Sequence, residues 1–100
     1  MALGALEALK AANRSAVVIG INGILPAVKQ IETGAILASV DFNMFKIGCT
    51  ATRAAVRYLR HESLPEKVML PAEIIDKTNY RAWLVPVNQQ TCPEWGEVVR

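Results

Sequence analysis

Few side chains in this 100-residue sequence are of types that do chemistry near neutral pH. The single histidine, His61, follows Arg60 at the end of a helical pattern, where a cation complements the helix dipole. A capping charge accounts for it better than a general base does. Cys49 and Cys92 have neither C-x-x-C nor metal-ligand spacing, so no disulfide or metal is expected and Cys49 reads as a small core residue. The carboxylates Asp41, Glu66, Glu73 and Asp76 are scattered over loops and strand ends, with no partner that sequence can assign for acid–base work. Ser15, Ser39 and Ser63 lie in no nucleophile elbow. Arg53, Arg57 and Arg60 could meet phosphates, but a solvated helix face explains them more simply. No enzyme and no cofactor are expected.

Three residues suit binding instead. Val17, Val18, Ile19 and Ile21 make a β-branched run that breaks at Gly20-Ile21-Asn22-Gly23. This break lacks the spacing of a dinucleotide fingerprint or a phosphate loop, and by spacing alone Asn22 is an ordinary turn residue. The run itself fits a strand buried on both faces, as in a parallel sheet, and ligands of open α/β sheets bind at the carboxyl ends of such strands. Phe42 and Asn43 close a second apolar run and would share that rim. An aromatic face and two amides suit a neutral polyhydroxylated ligand, through stacking and hydrogen bonds to hydroxyls. The alternative, with Phe42 in the core and Asn43 only a helix cap, is equally compatible with the spacing.

The elements that would position this rim alternate. Leu3, Leu6 and Leu9 recur at helical spacing over residues 2–12, and Asn13 can take the left-handed cap conformation. No capping side chain precedes this helix. A strand over 16–21 is followed by a short helix over 24–33, with Pro26 in its first turn and Gly34 ending it. Residues 35–40 read as a second strand. Asn43 then caps a helix whose apolar stripe is Met44, Ile47, Gly48, Ala51, Ala54, Ala55, Tyr58 and Leu59. Residues 66–75 read as a third strand, with Pro71 marking a bulge or an edge. Beyond it periodicity fades into a tail laid over the rest, with Trp83 and Trp95 as anchors. Such alternation implies an α/β fold, a three-layer Rossmann-like arrangement on a parallel sheet with right-handed crossovers.

Composition is consistent with one small globular domain, at 52% hydrophobic and 20% charged residues. A net charge of +2 gives no reason to expect nucleic acid, and no apolar run reaches the ~18 residues of a membrane span. The Ala/Leu-rich start lacks a basic n-region and is interrupted by Glu7 and Lys10, so as it stands this chain is expected to stay in the cytoplasm.

Taken together, MALGALEALKAAN, VVIGINGILPAVKQIETGAILASVDFNMFKIG and LPAEIIDKTNYRAWLVPV resemble the carboxyl-terminal lobe of type I periplasmic sugar-binding proteins of ABC importers, the ribose-binding class in particular. The likeness covers residues 1–88, with 89–100 as a tail. It implies a partial lobe of that fold, a pentose or hexose ligand, and, for the intact family, a second lobe, an ABC permease and a periplasmic location. In the family the position of Asn22 usually carries an Asp that hydrogen-bonds sugar hydroxyls. A second ligand position, often Gln, falls at Phe42, where stacking would replace a hydrogen bond; Asn43 is added from the residues alone. Family members are about three times this length, so the resemblance implies a fragment, from a truncated reading frame or a longer protein, which agrees with the uncapped first helix. Little sugar binding is expected of one wall alone, and an unpaired strand edge would drive self-association. The rival readings are the effector lobe of a lac-repressor-type transcription regulator and an interaction protein without a ligand.

Overall fold

The computed structural model describes residues 1–99. Helix α1 (Ala2–Ala11) leads into strand β1 (Ile19–Ile21), helix α2 (Leu25–Thr33), strand β2 (Ala38–Asp41) and helix α3 (Met44–Leu59). Strand β3 (Glu73–Ile75), 3-10 helices at Tyr80–Trp83 and Val87–Gln89, and a one-turn helix α4 (Trp95–Val98) complete the order.

The local signals act where expected. Asn13 is left-handed at φ 52°, Gly34 ends α2 at φ 87°, and Pro26 occupies the first turn of α2. Asn43 caps α3, its side chain accepting a hydrogen bond from the Lys46 N–H at 3.0 Å. Helix α1 has no side-chain cap at its start.

The sheet order is β1-β2-β3. β1 and β2 are parallel, Ile19 facing Ala38 and Ile21 facing Val40. β3 is antiparallel to β2, with Asp41 opposite Glu73 and Ser39 opposite Ile75. The parallel expectation therefore holds for the first pair and not for the second. After α3 the chain runs back without a helix from Arg60 to Ala72. Thirteen extended residues reach about 43 Å, enough to return past the ~24 Å of α3 and enter β3 from the far end. The strand expected over 66–75 shrinks to three residues: Glu73 pairs with Asp41, the last residue of β2, so residues before 73 have no strand to face, and Pro71 lacks an N–H for any ladder.

The core comprises Val18, Ala27, Val28, Ile31, Ile36 and Ile75, with Ala2, Leu3, Leu6, Leu9, Tyr80, Trp83 and Leu84 packed around it. It lies on one face of the sheet. Gly20 permits this packing, since a Cβ there would stand 2.9 Å from the Ala2 Cβ. β1 is not buried on both faces as its β-branched run suggests. Val18 and Gly20 are buried, whereas Val17, Ile19 and Ile21 are exposed. The stripe of α3 is likewise open: Met44, Ile47, Gly48, Ala51, Ala55, Tyr58 and Leu59 are exposed, Ala54 is half-buried, and Thr50 is the buried residue of the helix. The molecule is accordingly long, 58 × 22 × 22 Å, with a radius of gyration of 17.1 Å, against about 13 Å for a compact 100-residue domain.

Cys49 and Cys92 form a disulfide, which corrects the reading of Cys49 as a core residue. Neither spacing nor any framework signals the pair; the tail brings them together.

Candidate functional site

At the carboxyl ends of β1 and β2 the chain makes two sharp turns, and these place the three residues singled out from sequence. Asn22 follows β1 with φ 84°, its N–H donating to the Val40 carbonyl at 2.7 Å. That bond belongs to the parallel ladder, so the turn begins while the backbone is still held. The Asn22 side chain is exposed. Gly23, at φ 44°, donates its N–H to the Ser39 hydroxyl at 3.2 Å. A Cβ on Gly23 would lie 2.5 Å from Ile75 Cδ1 and 3.4 Å from the Asp41 Cβ. A glycine is therefore required here by both conformation and space.

On the second strand, Phe42 is 42% exposed and lies directly after Asp41. This placement answers the alternative of a core phenylalanine: its ring is at the surface. Asn43 is left-handed at φ 53°, and its side-chain oxygen is engaged by Lys46. Its side-chain NH2 remains as a donor. The strand register thus brings Asn22 beside the Asp41–Asn43 turn, at one end of the sheet.

Sequence reasoning missed two members of this rim. Asp41 is only 8% exposed and both its carboxylate oxygens are engaged. Oδ1 accepts the Asn43 N–H at 2.7 Å, and Oδ2 accepts the Trp83 indole N–H at 2.6 Å. Such charge-assisted bonds to a buried carboxylate are strong; here they tie the turn after β2 to the 3-10 helix at Tyr80–Trp83. Glu73, opposite Asp41 on β3 and exposed, is the other. Because β3 is antiparallel, its first residue lies at the rim, so the two carboxylates are neighbours and not scattered as they look in sequence. No spacing signal could have found the pair, since it depends on the direction of β3.

The rim offers an amide at Asn22, an acceptor at Glu73 and an aromatic face at Phe42, on backbone held by Ser39, Asp41 and the ladder. This set can hydrogen-bond and stack on a neutral polyhydroxylated molecule. Among the described residues no three His, Cys, Asp or Glu side chains lie close enough together to hold a metal ion, and no helix is long and apolar enough to cross a membrane.

No protein-family model matches the chain. Two curated proteins do: a ribose import binding protein of Haemophilus influenzae, 31% identical over 77 residues, and a putative rhizopine-binding protein of Rhizobium meliloti, 33% identical over 82 residues. These matches take in 77% and 79% of this chain and 26% of each relative, so the chain spans about a quarter of their length. Among solved structures, an ABC transporter solute-binding protein of Mycobacterium smegmatis with bound glycerol is 33% identical, with a TM-score of 0.78 over 86% of this chain and 31% of that one. A periplasmic solute-binding protein of Actinobacillus succinogenes with bound D-allose is 22% identical, with a TM-score of 0.75 over 81% of this chain and 29% of that one. The latter likeness concerns the fold.

Proposed function

This chain is a partial lobe of the type I sugar-binding kind that serves ABC importers, and from that premise we propose that its rim is one wall of a sugar-binding site. The observation that carries the reading is Asn22, exposed at the carboxyl end of a parallel strand pair and next in register to the Asp41–Asn43 turn. Its amide both donates and accepts, which matches a hydroxyl that does the same. Phe42 supplies a face for the apolar side of a sugar ring. The relative named for ribose import and the solved solute-binding protein with bound glycerol support a small polyhydroxylated ligand. The chain binds such a ligand without catalysing a reaction on it; in the full-length protein the opposite wall comes from a second lobe, and delivery is to an ABC permease. The parent protein works in the periplasm.

One wall encloses less of a ligand than the ~70–90% typical of a good pocket. Titration of 15N-labelled chain with D-ribose is therefore expected to give a Kd of about 1 mM or weaker, a binding free energy of about −4 kcal/mol or less negative. The shifted amides should be those around Asn22, Phe42 and Asn43, and Asn22→Ala should abolish the shifts. Micromolar affinity would contradict the one-wall reading, and shifts confined to other surfaces would overturn the site.

The same partial lobe leaves β1 as an outer strand with Ile19 and Ile21 exposed, as is Val17 on the approach to it, beside an apolar cleft of about 540 Å3 lined by Ala5, Ala8, Leu9 and Ala12. Unpaired apolar edges recruit further strands. In isolation the chain self-associates through this edge, and sedimentation of a stable monomer at high concentration would refute that.

A further inference from the structure

We infer that the segment after Cys92 is a redox-dependent strap, closed over one face of α3 when Cys49 and Cys92 are joined and released when they are reduced. The face is defined by Cys49, Arg53 and Arg57, each four residues from the last and so aligned along one side of the helix. Each meets a successive part of the tail. Cys49 is bonded to Cys92, the Arg53 guanidinium donates to the Pro93 carbonyl, and the Arg57 guanidinium lies 4.8 Å from the centre of the Trp95 ring. The tail therefore runs alongside α3 in the same direction, joined to it at three points over about two turns. This corrects the reading of these arginines as a merely solvated face.

Little besides the covalent bond holds the strap. Helix α4 has four residues and no buried side chain, and a helix of that length is marginal on its own. Cation–π contacts at exposed sites are weak. The disulfide spans 43 residues, and closing so long a loop without it carries a large entropic cost. Cys92 is exposed, so a thiol reagent can reach it. Closure needs an oxidant, which we take to be a small-molecule or protein disulfide. A thiolate of the pair attacks it and forms a mixed disulfide, and the second cysteine then displaces the carrier. The Sγ–Sγ bond forms, two protons and two electrons leave the cysteines, and the oxidant departs as two thiols. Such bonds persist in oxidising compartments, so the closed strap belongs to a chain that works outside the cytoplasm, contrary to the expectation from its first residues. Release would free Arg53 and Arg57 from Pro93 and Trp95 and open the cleft of about 330 Å3 that they line with Arg60 and Glu94.

Hydrogen exchange on the full chain, equilibrated with either oxidised glutathione or dithiothreitol, tests the strap. The oxidised chain should show no maleimide-reactive thiol and measurable protection at Glu97 and Val99, whose N–H groups bond to the Glu94 and Trp95 carbonyls. Reduction should expose two thiols and cut that protection roughly tenfold or more, leaving Asn22, in the β1–β2 ladder, unchanged. Cys49→Ser and Cys92→Ser should each reproduce the reduced pattern without reductant. Two free thiols after oxidation would overturn the inference. So would tail protection that survives reduction, or loss of protection at Asn22 as well, which would make the bond a general structural staple.

Discussion

Around Ile31, apolar side chains from α2, β3 and the approaches to β1 and β2 are each at most 9% exposed, whereas along α3 Tyr58 and Leu59 stand 71% and 75% exposed. The sheet half is held by exclusion of water from residues distant in sequence. The α3 half is held by a disulfide, an arginine–carbonyl bond and a cation–π contact, all on one side of the helix. The difference separates two things that an amphipathic pattern alone confuses. Periodicity says which side of a helix seeks cover; only the rest of the fold says whether cover is present.

The largest expected effect comes from making the same kind of truncation in both halves. Ile31→Ala removes a fully buried side chain and should lower stability by about 2–5 kcal/mol, read from the urea midpoint. Leu59→Ala should stay within about 0.5 kcal/mol. Equal costs would break the comparison, because they would mean that the α3 stripe is covered in solution, as self-association would do.

The rim offers the next test. Gly23→Ala asks a left-handed residue to carry a Cβ 2.5 Å from Ile75 Cδ1, which adds overpacking to backbone strain, about 1–3 kcal/mol. Amide shifts should spread through Asn22 and Ser39 and leave α4 untouched. If the chain kept its full stability, the tight approach of the β1 turn to β3 would be wrong.

These residues also show what was legible beforehand. The caps and breakers Asn13, Pro26, Gly34 and Asn43 act through their own backbone or, for Asn43, through a side chain reaching the next turn, and so announce their elements in sequence. Asn22, Phe42 and Asn43 could be put at one end of the sheet because a parallel pair needs only two strands and a crossover. Asp41 and Glu73 could not be paired without the direction of β3, and that direction depends on whether residues 60–72 fold into a helix or run straight. The Cys49–Cys92 bond was hidden for a related reason: it depends on where an aperiodic tail lies. The resemblance supplied the fold of the sheet half and nothing about the strap.

An effect of the same order is expected at the link between rim and tail. Trp83→Phe keeps the aromatic bulk but removes the donor to Asp41 Oδ2, leaving a nearly buried oxygen with one partner fewer at a cost of about 1–3 kcal/mol. The Asn43 bond to Oδ1 should survive, so Asn43 amide protection distinguishes a lost indole contact from collapse of the turn. Collapse would show that Trp83, and not the helix cap, sets the shape of the rim.

The smallest effect concerns Asp76, where the sheet half ends in a turn held by polar contacts. Its carboxylate accepts from the Thr78 hydroxyl and the Thr78 N–H, while the Asn79 side chain links the Asp76 N–H to the Ile74 carbonyl. The Thr78 hydroxyl, then the Thr78 N–H, pull the Asp76 pKa below its ordinary 3.8; desolvation opposes them, and the Asn79 backbone adds the weakest pull downward. A lowered folded pKa means that the turn is favoured above the ordinary value and loses that advantage as pH falls through the lowered one. The Thr78 amide should therefore titrate with a midpoint below 3.8, and Asp76→Asn should remove the step. Since the group is exposed, the ladder at Asn22 should not respond. A midpoint at or above the ordinary value would show that the turn is not formed in solution, and would move the boundary between the well-packed half and its polar edge back to Ile75.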